Sequence, residues 1–273
     1  MHDPELWRAM ILGLIQGLTE FLPVSSTGHL VVFGQLLNHW LGVRTTEEHD
    51  VMLDVALHVG TLGAIFIVYR RQLWSLPSRP RLCLLMILAC IPAGLVGVLL
   101  KDQLKSMFHS PLVVAYGWIT TAAMLWFAQH YSRGSRDLET MTAWDALVVG
   151  LFQAIRVPGI SRSGSTIAGG LLSGMTRESA ATFSFLIAVP VIAGAALIEA
   201  RHPLLQALRG QTIDAPPLVP RVAGTLIAFF VGWAALVLLL KAINHRCLHW
   251  FSIYCLLAAA AVFVWHFSQG RPS

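Results

Sequence analysis

The sequence predicts an all-α integral membrane protein with six full transmembrane helices and two re-entrant helical hairpins, arranged as an inverted-topology repeat. Three observations predict this fold class. Of the 273 residues, 56% are hydrophobic and only 12% are charged, whereas about a quarter of residues are charged in soluble domains. Apolar runs long enough to cross a bilayer recur along the chain. Two further apolar stretches are interrupted by similar polar segments, which indicates an internal repeat.

Five apolar runs contain no Asp, Glu, Lys or Arg and approach the roughly 17 to 25 residues that a membrane-spanning helix needs. A sixth run is equally apolar but carries Asp54 and His58 in its first half. Their spacing of four residues places both on one helix face, where we expect a structural pair between them. The six predicted spans are residues 51–69, 82–100, 112–129, 180–198, 222–240 and 250–267.

The polar segments outside the spans are short. Residues 131–142 join two similar halves, and residues 201–220 are predicted to be the longest polar loop. Acidic residues within positions 1–8 predict that no leader is cleaved. The cysteines show no metal-binding spacing, so we expect them to be packing residues. They are Cys83, Cys90, Cys247 and Cys255.

The charges argue against one class of partner but say little about the orientation of the chain in the membrane. The net charge of +5 forms no basic stripe, so nucleic acid is not an expected partner. Lys and Arg are divided almost evenly between the two sides of the predicted topology, which barely orients the chain. Four arginines at positions 70–81 favour the cytoplasm for that loop, and this places both termini outside.

The first interrupted stretch, residues 9–37, contains a carboxylate, a proline and three successive hydroxyl side chains in its middle. Non-helical backbone at membrane depth is tolerated only inside the protein or beside a water-filled cavity. We therefore expect a helix that ends at about Leu22, a turn at residues 23–28, and a second short helix that returns from His29.

The second interrupted stretch, residues 143–175, repeats this design. GLFQ at residues 150–153 corresponds to GLIQ at residues 13–16, about 137 positions earlier, and a proline and serines follow both. In both halves, one hairpin precedes three spans. An odd number of crossings inverts the second half, so the hairpin loops should meet near the bilayer midplane.

This repeat predicts the domain organisation of the chain. The whole chain, residues 1–273, is one membrane domain, with a first repeat at 1–130 and a second at 143–270.

The second loop carries the residues of a phosphate site. Its sequence SRSGST packs one guanidinium, four hydroxyls and a glycine at the start of a predicted helix. Phosphate favours a cationic fork and the N–H groups at a helix N-terminus, although a serine-rich capped turn is the alternative. Arg156 either adds a second positive charge for a diphosphate or only reaches an interface. The candidates in this loop are Arg162 for catalysis and Ser161, Ser163, Ser165 and Thr166 for substrate binding.

The first loop supplies candidate reactive groups. Ser26 is a candidate nucleophile, His29 a candidate proton shuttle, and Glu20 a base or metal-binding carboxylate. Ionisable residues at membrane depth are functional by default, and a structural ion pair between the halves is the alternative. The substrate-binding candidates here are Gln16, Ser25 and Thr27.

These motifs resemble those of the undecaprenyl-pyrophosphate phosphatases, bacterial membrane enzymes linked to bacitracin resistance. QGLTEFLPVSSTGHL at residues 16–30 is similar to the first signature of that family, and PGISRSGST at residues 158–166 is similar to its second. DVALHVGT at residues 54–61 and FSFLIAVP at residues 183–190 resemble further family segments. The similarity covers nearly the whole chain.

The resemblance implies hydrolysis of undecaprenyl pyrophosphate to undecaprenyl phosphate, which recycles the lipid carrier of cell-wall synthesis. It also implies a bacterial inner-membrane location, an active site open to the periplasm, and a divalent cation, Mg²⁺ or Ca²⁺, with Glu20 as a ligand. The catalytic positions that it implies are Glu20, Ser26, His29 and Arg162. A homodimer is a further hypothesis.

Two departures from the family pattern affect which residues can belong to the site. Gln16 occupies a permissive position of the first signature, but it cannot ionise. The approach AIRVPG at residues 154–159 is one residue shorter than usual, so we expect no role for residues 154–157.

A transporter or flippase of a phosphate-bearing lipid or a small anion is the alternative function, because inverted repeats are common in transporters. The resemblance favours the enzyme. SSTGH at residues 25–29 also resembles a motif of the phosphatidic-acid phosphatases, but no histidine follows Arg162 before His202. Direct attack by Ser26 and attack by a water that Glu20 activates both stay open.

Overall fold

The computed structural model describes residues 3–100, 103, 107, 110–132, 134–208, 217–245 and 248–269. These residues form α-helices joined by short turns and no β-strand, so the all-α prediction is confirmed. The helices are α1 (Pro4–Phe21), α2 (Ser26–Leu41), α3 (Glu47–Val68), α4 (Arg70–Ser75), α5 (Pro80–Leu99), α6 (Pro111–Tyr131), α7 (Ala143–Ala154), α8 (Arg162–Ser173), α9 (Arg177–Leu208), α10 (Leu218–Ala242) and α11 (Leu248–Gln269).

Within the described ranges, six helices are long and apolar enough to cross a membrane: α3, α5, α6, α9, α10 and α11. The six predicted spans are therefore confirmed. The predicted loop at residues 201–220 is wrong at both ends, because α9 continues to Leu208 and α10 begins at Leu218. Charged residues end an apolar run without ending a helix, and Leu, Gln and Ala are good helix formers. Residues 209–216 lie outside the described part.

The first interrupted stretch forms the pair α1 and α2, separated by residues 22–25 alone. The turn is shorter than predicted, since α2 begins at Ser26 and not at His29. Ser25 caps α2, because its hydroxyl accepts a hydrogen bond from the Gly28 N–H at 3.2 Å. Among the described non-glycine residues, Ser25 alone has a positive φ, 69°, and such backbone strain is typical of functional sites.

The second stretch forms the pair α7 and α8, separated by residues 155–161. Thr142 and Asp145 form a reciprocal capping box at the start of α7. Ser161 caps α8, because its hydroxyl accepts from the Gly164 N–H at 3.0 Å. Ser25 and Ser161 thus perform the same capping role in corresponding short helices.

The two pairs pack reciprocally against the other half of the chain. A Cβ atom at Gly13 of α1 would lie 2.5 Å from the carbonyl oxygen of Gly224 in α10. A Cβ at Gly150 of α7 would lie 2.6 Å from the carbonyl oxygen of Ala89 in α5. These close approaches bring both turns to the middle of the molecule.

Candidate active site

Glu20 lies in the last turn of α1, and only 7% of its surface is exposed. Arg162 Nη2 donates to Glu20 Oε1 at 2.8 Å. Ser26 Oγ donates to Glu20 Oε2 at 2.6 Å, and Gln16 Nε2 donates to the same oxygen at 3.2 Å. The structure therefore brings Glu20, Ser26 and Arg162 together, although Arg162 lies 142 positions beyond Glu20.

Ser26 and Arg162 are the first residues of α2 and α8, so these two partners of Glu20 both come from helix N-termini. The start of α2 lies against the turn before α8: a Cβ at Gly28 would lie 3.0 Å from the Cα of Gly159. Free N–H groups at a helix N-terminus favour a bound anion. Two such termini beside one guanidinium form a site suited to a phosphate group.

A cavity of about 420 Å³ opens beside these residues. Ser25, Ser26 and Thr27 line it from the first turn, and Ser161 and Arg162 line it from the second. It extends to Arg8 near the start of α1, Asn38 near the end of α2 and Asp50 near the start of α3. Val191 and Ile192 of α9 provide an apolar wall.

Residues 155–157 also line this cavity, and Arg156 is among them. The short approach to the second loop therefore does not remove this segment from the site, contrary to the expectation from the family pattern.

Three of the predicted phosphate-binding hydroxyls lie behind the cavity wall. Ser163 Oγ donates to the carbonyl of Leu22 at 3.2 Å, and Ser165 Oγ donates to the carbonyl of Arg162 at 3.0 Å. Thr166 shares a hydrogen bond with Ser184. These side chains are almost completely buried, so in this structure they hold the start of α8 in place.

His29 is turned away from the cavity, contrary to its expected place beside the reacting groups. Its Nδ1 lies 2.7 Å from the carbonyl oxygen of Ser25, and its Nε2 lies 2.7 Å from the hydroxyl of Tyr254. The rings of Phe33, Trp118 and Tyr254 surround it. His29 therefore braces the turn that carries Ser26.

His58 of α3 is the functional candidate that the sequence analysis missed. Its Nε2 lies 3.7 Å from Glu20 Oε2, and its Nδ1 lies 2.8 Å from the backbone carbonyl of Asp54. The ring lines the cavity. An ionisable side chain inside a predicted span was the available signal, and the expected pairing with Asp54 obscured it.

The residues at this site do not fit a resident divalent cation. Both oxygens of Glu20 already have protein partners, and the described part of the chain contains no cluster of three or more His, Cys, Asp or Glu residues suited to a metal. The buried Oε1 atoms of Gln16 and Gln153 lack a hydrogen-bond partner, but neutral amide oxygens alone provide no charge. Mg²⁺ and Ca²⁺ take six or more oxygen ligands, of which waters and substrate phosphates can supply several, but a resident ion also needs protein carboxylates that are free to bind it.

The fold and the site together define a multi-pass membrane protein in which a buried carboxylate meets a guanidinium and a serine hydroxyl. Residues 9–261 match the sequence model of the family described as bacitracin resistance protein BacA. The chain belongs to this family.

Curated relatives share this similarity over their whole length. The undecaprenyl-diphosphatase of Alkaliphilus metalliredigens is 38% identical over 269 residues, which cover 91% of this chain and 94% of the relative. The undecaprenyl-diphosphatase of Carboxydothermus hydrogenoformans is 37% identical, with 94% and 96% of the two chains covered. The undecaprenyl-diphosphatase of Rhodopirellula baltica is also 37% identical, with 94% and 97% covered.

Proposed function

We propose that this chain hydrolyses undecaprenyl diphosphate to undecaprenyl phosphate and inorganic phosphate. The observation that carries the proposal is the contact of Glu20 with both Ser26 and Arg162, which joins a base, a hydroxyl nucleophile and a phosphate-binding cation at one point. The names of the relatives support the same activity and substrate.

In the first step Arg162 and the N–H groups at the starts of α2 and α8 hold the terminal phosphate. The Ser26 hydroxyl attacks the terminal phosphorus and transfers its proton to Glu20 Oε2, to which it already donates. The new bond joins Ser26 Oγ to phosphorus, and the anhydride bond to undecaprenyl phosphate breaks. Arg156 lines the cavity and adds positive charge for the second phosphate.

In the second step a water molecule attacks the phosphoserine. By then Glu20 has released the Ser26 proton to the departing lipid phosphate or to water in the cavity. The oxygen of the attacking water binds phosphorus, one of its protons passes through Glu20 to Ser26 Oγ, and inorganic phosphate leaves. Both steps depend mainly on positioning and on stabilisation of charge at the phosphoryl oxygens. A carrier would need no hydroxyl bound to a carboxylate, so the transport alternative is not favoured.

The divalent cation, Mg²⁺ or Ca²⁺, belongs in this proposal as the counter-ion of the lipid diphosphate. Mg²⁺ is commonly held by substrate phosphates with few protein ligands. We assign it no residue of this chain, and the steps above do not depend on it.

The membrane arrangement is part of the proposal. The α1–α2 and α7–α8 pairs act as re-entrant hairpins of two inverted repeats, and the reciprocal glycine contacts support this interpretation. The protein would lie in the inner membrane, with the Arg8 end of the cavity open to the periplasm. A homodimer stays a prediction.

Phosphate release from undecaprenyl diphosphate by the purified protein in detergent tests the function. We expect wild-type turnover, and Arg162→Ala should lower it about 100- to 1000-fold, as is typical for loss of a group that stabilises transition-state charge. Arg79→Ala is the matched control, because Arg79 is exposed and pairs with Glu139. Equal turnover by Arg162→Ala and Arg79→Ala would remove Arg162 from the site, and no release by wild-type protein would reject the function.

A further inference from the structure

His58 presents a second ionisable group to Glu20 from a different helix. Its Nε2 lies 3.7 Å from Glu20 Oε2, which is about 0.7 Å longer than an ordinary hydrogen bond. Its side chain is 26% exposed, whereas that of Glu20 is only 6% exposed. Catalytic contacts are often long in ligand-free structures and shorten when substrate binds. His58 thus stands between the buried carboxylate and the open cavity.

The backbone selects which ring nitrogen faces Glu20. Nδ1 lies 2.8 Å from the carbonyl oxygen of Asp54, and a carbonyl oxygen only accepts, so Nδ1 carries a proton. Nε2 is then the nitrogen that can gain or lose a proton. Its lone pair would be repelled by a bare carboxylate, but a protonated Glu20 or a protonated Nε2 makes the contact favourable.

We propose that His58 is the proton relay of this site, a positioning residue that acts on the reaction through Glu20. The inference rests on the proposed hydrolysis. When Ser26 attacks phosphorus, its proton moves to Glu20 Oε2 and from there to His58 Nε2. Glu20 is then a carboxylate again and can pair with Arg162 while the phosphoserine exists.

Every proton in the relay has a donor and an acceptor at the site. The Oγ–H bond of Ser26 breaks as the Oγ–P bond forms, and undecaprenyl phosphate leaves with the electron pair of the anhydride bond. His58 holds the proton until it passes to the departing lipid phosphate or to water in the cavity. Hydrolysis of the phosphoserine then restores the Ser26 hydroxyl with a proton from the attacking water.

The other candidate groups beside Glu20 are less suited to this role. His29 has both ring nitrogens engaged, by Ser25 and by Tyr254, on the far side of the turn. Gln16 donates to Glu20 Oε2 but cannot ionise. Gln16, one helical turn before Glu20, therefore cannot take up a proton. The second ionisable group beside Glu20 is His58 of α3.

The charges around His58 are compatible with a transient positive ring. The titratable and charged residues that line the cavity with His58 are Arg8 and Glu20 of α1, Asp50 and Asp54 of α3, Arg156 before α8, and Arg162 of α8. α9 contributes only apolar residues to the described lining of the cavity, and α10 contributes no residue to it. The carboxylate of Glu20, 3.7 Å from His58 Nε2, can stabilise a positive charge on the ring.

The test compares His58→Ala and His58→Gln with wild-type protein in the phosphate-release assay, with and without added imidazole. We expect kcat to fall about 100-fold in both variants, within the range for loss of a general acid or base. KM should change little, since Arg162 holds the phosphate. Imidazole should restore at least part of kcat in His58→Ala, because it can occupy the vacated space and accept the proton.

The matched control is His49→Ala, which removes another histidine of α3 that does not line the described cavity. It should keep wild-type kcat and show no response to imidazole. Thermal unfolding in detergent should give similar midpoints for His58→Ala and wild-type protein, because a half-buried relay side chain contributes little to packing.

Three results would overturn the relay: wild-type kcat in His58→Ala, full activity in His58→Gln, or a loss of activity that imidazole leaves unchanged. The assay separates this failure from failure of the proposed function. Wild-type turnover reports the function, and the ratio of variant to wild-type turnover reports the relay. Absence of wild-type turnover would overturn both.

Discussion

Glu20 accepts hydrogen bonds from Ser26 in one half of the chain and from Arg162 in the other. A buried carboxylate is costly unless charged and polar partners compensate for the lost water. Here the compensating partners are also the groups that the proposed reaction uses. Glu20 therefore couples assembly of the two halves to formation of the site.

The role of Ser26 can be tested by trapping an intermediate. If Ser26 is the nucleophile, Ser26→Ala should fall to the background rate and form no phosphoenzyme, since the attacking oxygen is gone while Arg162 still binds phosphate. Wild-type protein quenched in single-turnover experiments with labelled lipid diphosphate should carry label on Ser26.

Measurable turnover by Ser26→Ala, with a penalty of only about 1 to 3 kcal/mol, would instead indicate attack by water that Glu20 activates. Glu20→Gln serves as the companion variant, because it removes the base in both mechanisms. Its activity should be low in either case.

At the scale of elements, glycines set how closely the short helices approach the spans. Gly13 and Gly150 occupy corresponding positions in α1 and α7, and each faces the backbone of a span from the other half. A side chain at either position would separate the helices and shift the turn that follows. The loop residues at the site thus depend on packing about two helical turns before the end of α1 and about one turn before the end of α7.

Gly150→Ala should lower both stability and turnover. Its Cβ would lie 2.6 Å from the carbonyl oxygen of Ala89, so α7 must move away from α5, at a cost of about 1 to 3 kcal/mol. The measurements are the thermal midpoint in detergent and phosphate release.

Gly94→Ala in α5 is the matched control, because nothing lies within 4 Å of a Cβ at that position. Alanine favours a helix more than glycine does, so this variant should match or exceed wild-type stability. Equal midpoints for the two variants would contradict the close packing of α7 on α5.

At the scale of the whole molecule, polar contacts tie the linker between the halves to the second half. Arg136 forms an ion pair with buried Asp145 at 2.8 Å and also donates to the carbonyl of Ser173. Arg79 pairs with Glu139 of the linker at 3.2 Å. The loop after α4 and the linker therefore lie at the same end of the molecule.

Cysteine labelling tests whether the halves are inverted in the membrane. α1 and α10 run in the same direction, since Gly13 meets Gly224 and Gly17 meets Gly232. Single cysteines at Asp3 and Leu218 should therefore react with a membrane-impermeant reagent from one side, and one at Ser78 from the other. The four native cysteines must first be removed. Reaction of Ser78→Cys and Leu218→Cys from the same side would contradict the proposed topology.

The pattern of residues along the chain was enough to predict the spans and the two interruptions, and the helix caps are equally local. Long apolar runs without charge form spanning helices in any packing arrangement. Ser25 and Ser161 act on N–H groups three residues further along the chain. Such features depend on near neighbours, so the spacing of residues is enough to predict them. The extents of the first turn and of α9 were less predictable, because polar residues do not stop a helix.

Which ionisable groups meet depends on how the helices pack, and local spacing does not predict it. Sequence spacing related His58 to Asp54 on the same helix, whereas the packing of α3 beside α1 directs its ring to Glu20. Sequence likewise placed His29 near the reacting groups, but Tyr254 of α11 and Trp118 of α6 hold it on the other side of the turn. The orientation of a side chain across a helix interface depends on residues far apart in the chain, and local spacing carries no information about that contact.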